Sequence, residues 1–481
     1  MAFCFRGQMK TFKYDCIAEY YRERIVRSVI VAGDKLPSIR AIAKYHGVSI
    51  STASKVMALL EQQGFIYVKL KSGYYVKEQT RNAAQTYGTK VVYKPNLMEL
   101  PLQQSVQYSF NDESILPLSC TGASTVLDNE ALLNTLHRKV IRQRPYQLQQ
   151  DNFEAGLPEL RNALATYLNQ LNCHVSEHEL LITRGRSDGL LIALSSLNLL
   201  DKWIAIEAPS SFFINANLTR LNVNTLAIPM QGSYTEEIQL LDSTYQERPF
   251  SAYVFNPNFN DPTGRVLSDK EKQLLLEWAQ SRNVVLIEYD RGELSFTDNR
   301  PKPITSFVTN KHTTPVISLA DFTDTVSFSF SLGYMICHQC ADACLFSKHI
   351  LAEKADSVSQ LILHSLLTSG SYRKLTQRLR RKMYDQYLQT RVLLKPLEQH
   401  IEVSTIEGGP CIWLKLPDGK SAEKLYAMLL AQNISIAPGS MFFQGEQCDR
   451  YFRITFALPW DKKMRRGLRL FVENTLIFLD G

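Results

Sequence analysis

The larger part of this sequence, from about residue 115 to the end, alternates short apolar runs with long helical stretches. Apolar runs of strand length, separated by helices, are typical of strands that are buried on both faces of a sheet. The clearest runs are Leu180-Leu-Ile-Thr, Trp203-Ile-Ala-Ile-Glu, Ala252-Tyr-Val-Phe, Asn283-Val-Val-Leu-Ile-Glu and Pro315-Val-Ile-Ser-Leu. The pattern predicts an α/β fold with a mainly parallel sheet, which binds ligands at the carboxyl ends of its strands.

The first eighty residues follow a different pattern. Their periodicity predicts helices over Tyr14–Ile30, Ile39–Tyr45 and Ile50–Gln63, the third of them capped by Ser49. The turn His46-Gly47-Val48 joins the second and third helices. Two helices joined in this way form a helix-turn-helix, whose second helix enters the major groove of DNA with its N-terminal residues foremost.

A β-hairpin is predicted next, with strands over Phe65–Leu70 and Tyr74–Lys77. Such a wing carries Lys69, Lys71 and Lys77, which can contact phosphates. The first domain is therefore predicted to bind double-stranded DNA. A helix-turn-helix that serves only protein contacts is the alternative.

Residues 14–78 resemble the GntR winged-helix family. The positions that carry the resemblance are Leu36-Pro-Ser-Ile-Arg40, Ala43, Gly47-Val48-Ser49, Ser51-Thr52, Leu59, Glu61, Gly64-Phe65 and Ser72-Gly73-Tyr74. The candidate DNA-binding residues are Arg40, Ser49, Ser51, Thr52, Lys55, Lys71 and Gly73. The chain departs from the family at Ile50 and Ser54, where relatives often carry arginine. Losing arginine-to-guanine contacts is expected to change the operator sequence or to lower specificity.

The predicted domain organisation has three parts. Residues 10–78 form the GntR-type winged helix, residues 79–110 a linker, and residues 111–481 an α/β domain with a large and a small subdomain. The linker prediction depends on fading periodicity and on Pro95 and Pro101.

Several motifs follow the predicted strands of the second domain. They are Gly185-Arg186-Ser187, Asp261-Pro-Thr-Gly264, Glu288-Tyr-Asp-Arg291, Phe322-Thr-Asp324-Thr and, near the C-terminus, Tyr451-Phe-Arg453. Small residues at the start of a helix, as at Gly185, can cradle an anion with backbone N–H groups. Taken in this order, the motifs resemble fold-type I aminotransferases, and the fusion resembles the MocR branch of the GntR regulators over nearly the whole chain.

The resemblance implies a role for each motif residue. Gly185, Arg186 and Ser187 fall at the cradle for the phosphate of pyridoxal phosphate. Asp261 falls at an asparagine that bonds the pyridoxal hydroxyl, Glu288 at the acid that faces the pyridine nitrogen, and Arg291 at a tyrosine that bonds the ring. Asp324 holds the position of the Schiff-base lysine, and Ser331 replaces a phosphate-binding arginine. Arg453 matches the arginine that binds a substrate carboxylate.

These departures predict a domain that is not an enzyme. Covalent catalysis with pyridoxal phosphate needs a primary amine, and a carboxylate such as Asp324 cannot form the imine. No covalent cofactor is expected, and pyridoxal phosphate only as a weak non-covalent ligand. The carboxylates of Asp261 and Asp324 are expected to favour a cation, or one of them to stay protonated.

Arg453 has two interpretations that remain open. If it faces the pocket, the effector carries a carboxylate or a phosphate, because arginine binds both with two hydrogen bonds. If it pairs with a carboxylate in the core, its role is structural.

Composition sets the remaining expectations. The net charge of +7 permits nucleic-acid binding without requiring it. No membrane span or secretory pattern is seen, and nine scattered cysteines fit a reducing cytoplasm. The cluster Cys337-His-Gln-Cys340-Ala-Asp-Ala-Cys344 has a spacing that could ligate a metal, but no partner pair lies nearby, so no metal site is predicted.

The predicted function is therefore a cytoplasmic, homodimeric transcription regulator. Its degenerate aminotransferase-like domain dimerises and senses a small anionic metabolite without covalent pyridoxal phosphate. The alternatives are a functional pyridoxal-phosphate-dependent aminotransferase with an accessory DNA-binding domain, and a dimerisation scaffold that senses nothing.

Overall fold

The computed structural model describes residues 13–26, 30–69, 72–77, 97–120, 122–144, 154–230, 233–351, 354–443 and 448–480. The chain divides into two compact units, Met1–Lys94 and Pro95–Gly481. Each unit has its own hydrophobic core, and each is described by itself.

The first unit contains three helices and a two-stranded antiparallel sheet. Its elements are α1 (Lys13–Val26), α2 (Ile39–His46), α3 (Ile50–Gln62), β1 (Ile66–Lys69) and β2 (Gly73–Val76). Helix α2 ends at Gly47, whose φ of 63° lies in the left-handed region that favours glycine. The predicted order of three helices and a hairpin is confirmed.

The core of the first unit is made by the inner face of α3. Ala53, Val56, Met57 and Leu60 are fully buried, and they pack against α1 and α2. Burying one such aliphatic side chain stabilises the fold by about 1.5–3 kcal/mol. This packing leaves the opposite face of α3 exposed.

The second unit contains twelve helices and thirteen strands within the described residues. Its helices are α4 (Leu102–Ser109), α5 (Glu130–Gln143), α6 (Pro158–Asn169), α7 (Arg186–Ser196), α8 (Phe212–Arg220), α9 (Tyr234–Glu247), α10 (Asp269–Arg282), α11 (Ala341–Leu351), α12 (Ser357–Thr368), α13 (Ser371–Leu394), α14 (Ala422–Leu430) and α15 (Lys462–Asp480). Its strands are β3 (Leu116–Pro117), β4 (Leu180–Thr183), β5 (Trp203–Ala208), β6 (Asn224–Pro229), β7 (Ala252–Phe255), β8 (Val285–Tyr289), β9 (Val316–Asp321), β10 (Gly333–His338), β11 (Glu402–Val403), β12 (Cys411–Lys415), β13 (Ile434–Ser435), β14 (Ala437–Pro438) and β15 (Tyr451–Thr455).

A seven-stranded sheet forms the centre of the second unit. Its strand order is β4-β10-β9-β8-β7-β5-β6, and β10 runs opposite to the other six strands. Every residue of β4, β7 and β8 is buried, as expected for strands covered on both faces. The predicted mainly parallel sheet is confirmed.

A smaller antiparallel sheet has the order β11-β12-β15-β14. Its core joins α13, α14 and α15, so the C-terminal part of the chain forms the small subdomain. Arg453 lies on β15, in the middle of this sheet.

Part of the predicted linker is folded. A 3-10 turn spans Leu97–Glu99, and α4 follows it. Val106 of α4 is buried in the core of the second unit, and the hydroxyls of Ser105 and Tyr426 share a hydrogen bond of 2.6 Å. These long-range contacts stabilise a helix that its own sequence signals only weakly. The second unit therefore begins before residue 111, and residues 79–96 of the predicted linker lie outside the described residues.

None of the described helices combines the length and the apolar character needed to cross a membrane.

Candidate functional site

The outward face of α3 is the candidate DNA-reading surface of the first unit. Ile50, Ser51, Ser54, Lys55 and Ala58 are exposed on it, and Glu61 and Gln62 are exposed at its C-terminal end. Because the inner face of α3 is fixed in the core and the N-terminal residues of such a helix lead into the groove, the first five are the side chains best placed to meet DNA. Arg40 is also exposed and lies at the second residue of α2, the helix that crosses the DNA backbone in helix-turn-helix proteins.

The hydroxyls at the start of α3 form a local network. Ser49 caps the helix, because its Oγ accepts a hydrogen bond of 3.1 Å from the backbone N–H of Thr52. The hydroxyls of Ser51 and Thr52 lie 2.9 Å and 2.8 Å from the same oxygen. The structure thus gives Ser49 a capping role, and it ties the hydroxyls of Ser51 and Thr52 to the same oxygen.

The wing between β1 and β2 collects positive charge around one tyrosine. The ammonium groups of Lys35 and Lys69 each lie 5.9 Å from the centre of the Tyr75 ring. A 2.6 Å hydrogen bond with Ser72, helped by these lysines, lowers the pKa of Tyr75. Gly73 has a φ of 116°, where a side chain would be strained. Lys71, a predicted contact, lies outside the described residues.

Charge is concentrated in this part of the chain. Residues 30–77 hold seven Lys and Arg residues against two Asp and Glu residues, a net charge of +5, while the whole chain carries +7. A tenth of the sequence therefore supplies most of the excess positive charge of the chain. Such a concentration of charge is typical of a surface that binds phosphates.

The second unit has a cavity of about 240 Å³ at the carboxyl ends of its parallel strands. The described residues that line it are Gly122, Arg184, Gly185, Arg186, Ser187, Ser211, Phe213, Asn256, Asp261, Tyr289, Arg291, Asp321, Thr323, Asp324, Phe328 and Ser331. Seven of the nine pocket residues predicted from the sequence are among them. The rule that places ligand sites at the carboxyl edge of a parallel sheet explains this agreement.

An ion-pair network occupies one side of the cavity. Arg186 donates to Asp321 at 2.7 Å and to Asp324 at 3.2 Å. Arg291 donates to the same oxygen of Asp324 at 3.1 Å. Burial lowers the pKa of Arg186, but Asp321 and Asp324 outweigh it, so the pKa is raised on balance. Asp324 is thus held between two guanidinium groups.

A second ion pair lies deeper. Arg453 donates to Asp261 at 2.6 Å and also to the backbone carbonyl of Ser119. Burial tends to raise the pKa of Asp261, but Arg453, Arg291 and a hydrogen bond from Ser211 outweigh it, so the pKa is lowered. Arg453 does not line the cavity. Of its two interpretations, the geometry therefore favours the structural pair with a core carboxylate.

Glu288, which the resemblance assigned to the pocket, is not among the residues that line the cavity. Its side chain is fully buried, and both of its oxygens accept from the backbone N–H of Ile304, at 3.0 Å and 3.1 Å. Burial, with a smaller effect of Asp290, raises the pKa of Glu288 to about 8. Successive side chains of a strand point to opposite faces, so the next residue, Tyr289, lines the cavity instead.

The start of α7 forms the predicted cradle. Gly185 precedes the helix with a φ of 125°, which a residue with a side chain rarely adopts. The Ser187 hydroxyl accepts a 2.8 Å hydrogen bond from Asn217, and exposed Ser331 lies at the cavity edge. The first turn already contains a carboxylate, Asp188, which accepts from the backbone N–H of Arg184 at 3.0 Å.

The charges that line the cavity balance. Arg184, Arg186 and Arg291 face Asp261, Asp321 and Asp324. The expectation that the carboxylates favour a cation, or that one of them stays protonated, left out the arginines as partners. The lowered pKa of Asp261 argues against a protonated Asp261, and the cation alternative stays a prediction. Among the described lining residues there is no lysine, so the lining offers no primary amine for an imine.

Several residues of these surfaces were not among the predicted site residues. Asp321 precedes the Phe322-Thr-Asp324-Thr motif and Tyr289 lies inside the Glu288-Tyr-Asp-Arg291 motif, but neither of them was assigned a role from the sequence. Lys35 and Tyr75 meet only because residue 35 pairs with β2. Strand β8 is buried on both faces, so its sequence gives no polar alternation that would mark Tyr289, and the pairing of Lys35 is visible only in the folded unit.

The cysteine cluster lies elsewhere, at the junction of β10 and α11. Cys337, Cys340 and Cys344 are buried, and the sulfurs of Cys340 and Cys344 are 3.8 Å apart. Burial raises the pKa of Cys337. Among the described residues, no group of three His, Cys, Asp or Glu side chains is placed to hold a metal ion.

Comparison with known sequences gives the first unit a family likeness. Residues 13–76 match the bacterial regulatory proteins of the gntR family. The chain is 27% identical over 470 residues to the HTH-type transcriptional regulator YdcR of Escherichia coli, covering 95% of this chain and 97% of that protein. It is 24% identical over 453 residues to the HTH-type transcriptional regulator NorG of Staphylococcus aureus, covering 90% and 98%.

Comparison with solved structures gives the fold of the second unit. The α-aminoadipate aminotransferase LysN of Thermus thermophilus superposes with a TM-score of 0.68 at 22% identity, covering 79% of this chain and 96% of that one. The kynurenine aminotransferase of Pyrococcus horikoshii superposes with a TM-score of 0.70 at 18% sequence identity, covering 83% of this chain and 99% of that one. The predicted fold class, a winged helix-turn-helix followed by an aminotransferase-like domain, is confirmed.

The Arg453–Asp261 pair predicts a large loss of stability on mutation. Arg453→Met leaves the Asp261 carboxylate buried without its counter-charge, so the free energy of unfolding at pH 7 should fall by about 3–5 kcal/mol. The double variant Asp261→Asn/Arg453→Met removes both charges and should recover most of this loss. Urea unfolding measures both values.

Two controls accompany this measurement. Arg450→Met removes a guanidinium whose partner Asp418 is 92% exposed, and it should cost less than about 1 kcal/mol. Because the folded pKa of Asp261 is depressed, its contribution is full above the unfolded pKa of about 3.9 and is lost as the pH falls through the folded pKa. The difference in the free energy of unfolding between the wild type and the double variant should therefore become smaller as the pH falls through the folded pKa of Asp261. An Arg453→Met protein as stable as the wild type would contradict a structural pair.

Proposed function

We propose that this chain is a DNA-binding transcription regulator of the MocR type, whose aminotransferase-like domain works without covalently bound pyridoxal phosphate. The relatives that match nearly the whole chain are named HTH-type transcriptional regulators. The exposed face of α3, exposed Arg40 and the net charge of +5 over residues 30–77 support DNA binding by the first unit.

The environment of Asp324 carries the proposal for the second unit. By resemblance it holds the position of the Schiff-base lysine, and it lies in salt bridges with Arg186 and Arg291. A carboxyl group supplies no amine for an imine, and the two arginines occupy the space around it. The residues at this site do not fit covalently bound pyridoxal phosphate.

The phosphate side of the cavity supports the same conclusion. Arg186, at the predicted cradle, is engaged by the carboxylates of Asp321 and Asp324. A phosphate dianion placed there would have to displace a carboxylate from Arg186, and it would face Asp321 at short range. Ser331 supplies no counter-charge. An active aminotransferase with an accessory DNA-binding domain, the alternative function, would need both an amine and a phosphate site.

We also propose that the second unit forms a homodimer and binds a small effector. Two copies would present two reading helices, which suits operators with two half-sites. Nε of Arg291 is buried without a hydrogen-bond partner among the described residues, and it can receive a carboxylate or phosphate oxygen. Asp261 and Asp324 can receive a cationic group. The balanced lining therefore favours an acidic effector that also carries a positive charge.

The cofactor proposal predicts that no reducible adduct forms. Purified protein, incubated with pyridoxal phosphate, treated with borohydride and dialysed, should show no internal-aldimine absorption band before reduction. Peptide mass spectrometry should then find no stoichiometric modification of a single lysine. A pyridoxal-phosphate aminotransferase treated in parallel is the positive control. One fully modified lysine in this chain would refute the proposal and favour the enzyme.

Arg40→Ala should weaken binding to an operator selected from random duplexes by about tenfold or more, because a hydrogen-bonded charge contact to phosphate is lost. The slope of log affinity against log salt should fall by about one, since one phosphate contact disappears. Fluorescence anisotropy over a salt series measures both quantities. Arg40→Lys keeps the charge and should keep the slope. Unchanged affinity of Arg40→Ala would contradict the assignment of α2 to the DNA backbone.

The effector proposal predicts a ligand-dependent rise in the unfolding temperature. In a thermal-shift screen of small zwitterionic metabolites, a ligand at about one hundred times its Kd should add roughly 2.7 kcal/mol of stability. Arg291→Met should abolish the shift. Arg282→Met removes an ion pair between Arg282 on α10 and Asp242 on α9, neither of which lines the cavity, and this variant should retain the shift. If no compound shifts the wild type, the second unit is a dimerisation scaffold.

A further inference from the structure

The outward face of α3 is unusual in the chemistry that it offers to DNA. Over residues 50–58 its exposed residues are one branched apolar side chain, two hydroxyls, one methyl group and one lysine, namely Ile50, Ser51, Ser54, Lys55 and Ala58, and exposed Glu61 and Gln62 follow at the C-terminal end. The described outward residues of this helix include no arginine. Arginine and lysine are the side chains that read guanine through its O6 and N7 atoms, so this face is poorly equipped to select G·C pairs.

Lys55 does little to change this. Its ammonium group lies 5.9 Å from the centre of the Tyr14 ring, on α1. It is therefore held beside the neighbouring helix rather than at the leading end of α3. A lysine in this place can contribute to phosphate binding, but the first turn of α3 is left to read the bases.

Ile50 is the residue that leads this turn. It is the first residue of α3, and 59% of it is exposed. The hydroxyls of Ser49, Ser51 and Thr52 are hydrogen-bonded to one another beside it. The branched apolar side chain of Ile50 therefore projects from a turn whose polar groups are already partly satisfied.

Resting on the DNA-binding function proposed above, we propose that Ile50 is a specificity-determining residue that contacts the 5-methyl group of a thymine in the major groove. The thymine methyl is the one apolar group that base pairs present there, and apolar side chains recognise it by contact. Hydroxyls such as those of Ser51 and Ser54 accept several bases, so they do not oppose this preference. The operator half-site should then have an A·T pair opposite Ile50.

Charge as well as shape makes double-stranded DNA the partner that suits the surface around Ile50. The net charge of +5 over residues 30–77 favours a polyanion, and lysines of the wing flank the same unit. An exposed isoleucine alone is an ordinary surface feature. Its place at the leading end of a helix that is fixed in a basic unit makes it a base contact.

The test begins with selection of an operator from random duplexes by the full-length protein. Each thymine of the selected half-site is then replaced by deoxyuridine, which removes the 5-methyl group and keeps the hydrogen-bonding edge. At one position the substitution should weaken binding of the wild type by about fourfold, the value expected for one buried methyl group. Fluorescence anisotropy at fixed salt gives the dissociation constants.

Three variants assign the effect to one side chain. Ile50→Ala should bind the thymine and deoxyuridine operators equally well. Val68→Ala, which shortens a branched side chain that is 50% exposed on β1, should keep the fourfold difference. Ile50→Arg should select guanine at the same half-site position, because it supplies the guanidinium that the natural helix lacks.

The outcomes separate the two levels of the proposal. The protein could bind a selected operator without being affected by deoxyuridine at any position, or Ile50→Ala could lose as much affinity from the replacement as the wild type does. Either result would overturn the role of Ile50 and leave the proposed regulator function standing. A selected G·C pair opposite position 50 would do the same. If the wild-type protein selects no sequence at all, the proposed regulator function fails, and this inference fails with it.

Discussion

Charge balance at the carboxyl edge of the large sheet constrains everything around it. Asp324 and Asp321 are neutralised by Arg186 and Arg291, and Asp261 is neutralised by Arg453 behind them. An unpaired charge in such a place costs several kcal/mol, so none of these residues can change alone without a penalty. An aspartate at position 324 is tolerable because two guanidinium groups reach it. These six charged residues therefore depend on one another for their charge balance.

The sheet makes this set possible, because its topology gathers residues that are far apart in the chain. Arg186 and Asp324 are separated by 138 residues, and Asp261 and Arg453 by 192. Parallel strands end at one edge, and each following loop delivers one or two charged side chains to it. Gly333 and Gly185 let the backbones approach, since a Cβ on Gly333 would lie 2.8 Å from the Cα of Gly185. Backbone packing and charge pairing thus fix the cavity together.

The sequence was sufficient to predict the secondary-structure elements and which loops come together. It was insufficient to predict which side chains contact one another. Apolar runs located five strands of the large sheet, and periodicity with capping serines located the helices of the first unit, because these signals are local. The choice between Glu288 and Tyr289 was lost because a strand buried on both faces gives no polar alternation to set its register. The partners of Arg453, and the contact of α4 with Tyr426, depend on residues hundreds of positions away, which no local pattern reports.

A regulator makes smaller demands on such a cavity than an enzyme does. Catalysis needs groups that stabilise a transition state, whereas regulation needs only a ligand that binds two arrangements of the chain with different affinity. A coupling free energy of about 1–3 kcal/mol is typical, and one Arg–Asp pair that opens to admit a ligand can supply a difference of that size. A network in which Asp324 shares two arginines has alternative partners available within it. For the proposed regulator, an aspartate at position 324 is therefore compatible with sensing, since the charges around it offer the alternative pairings that sensing requires.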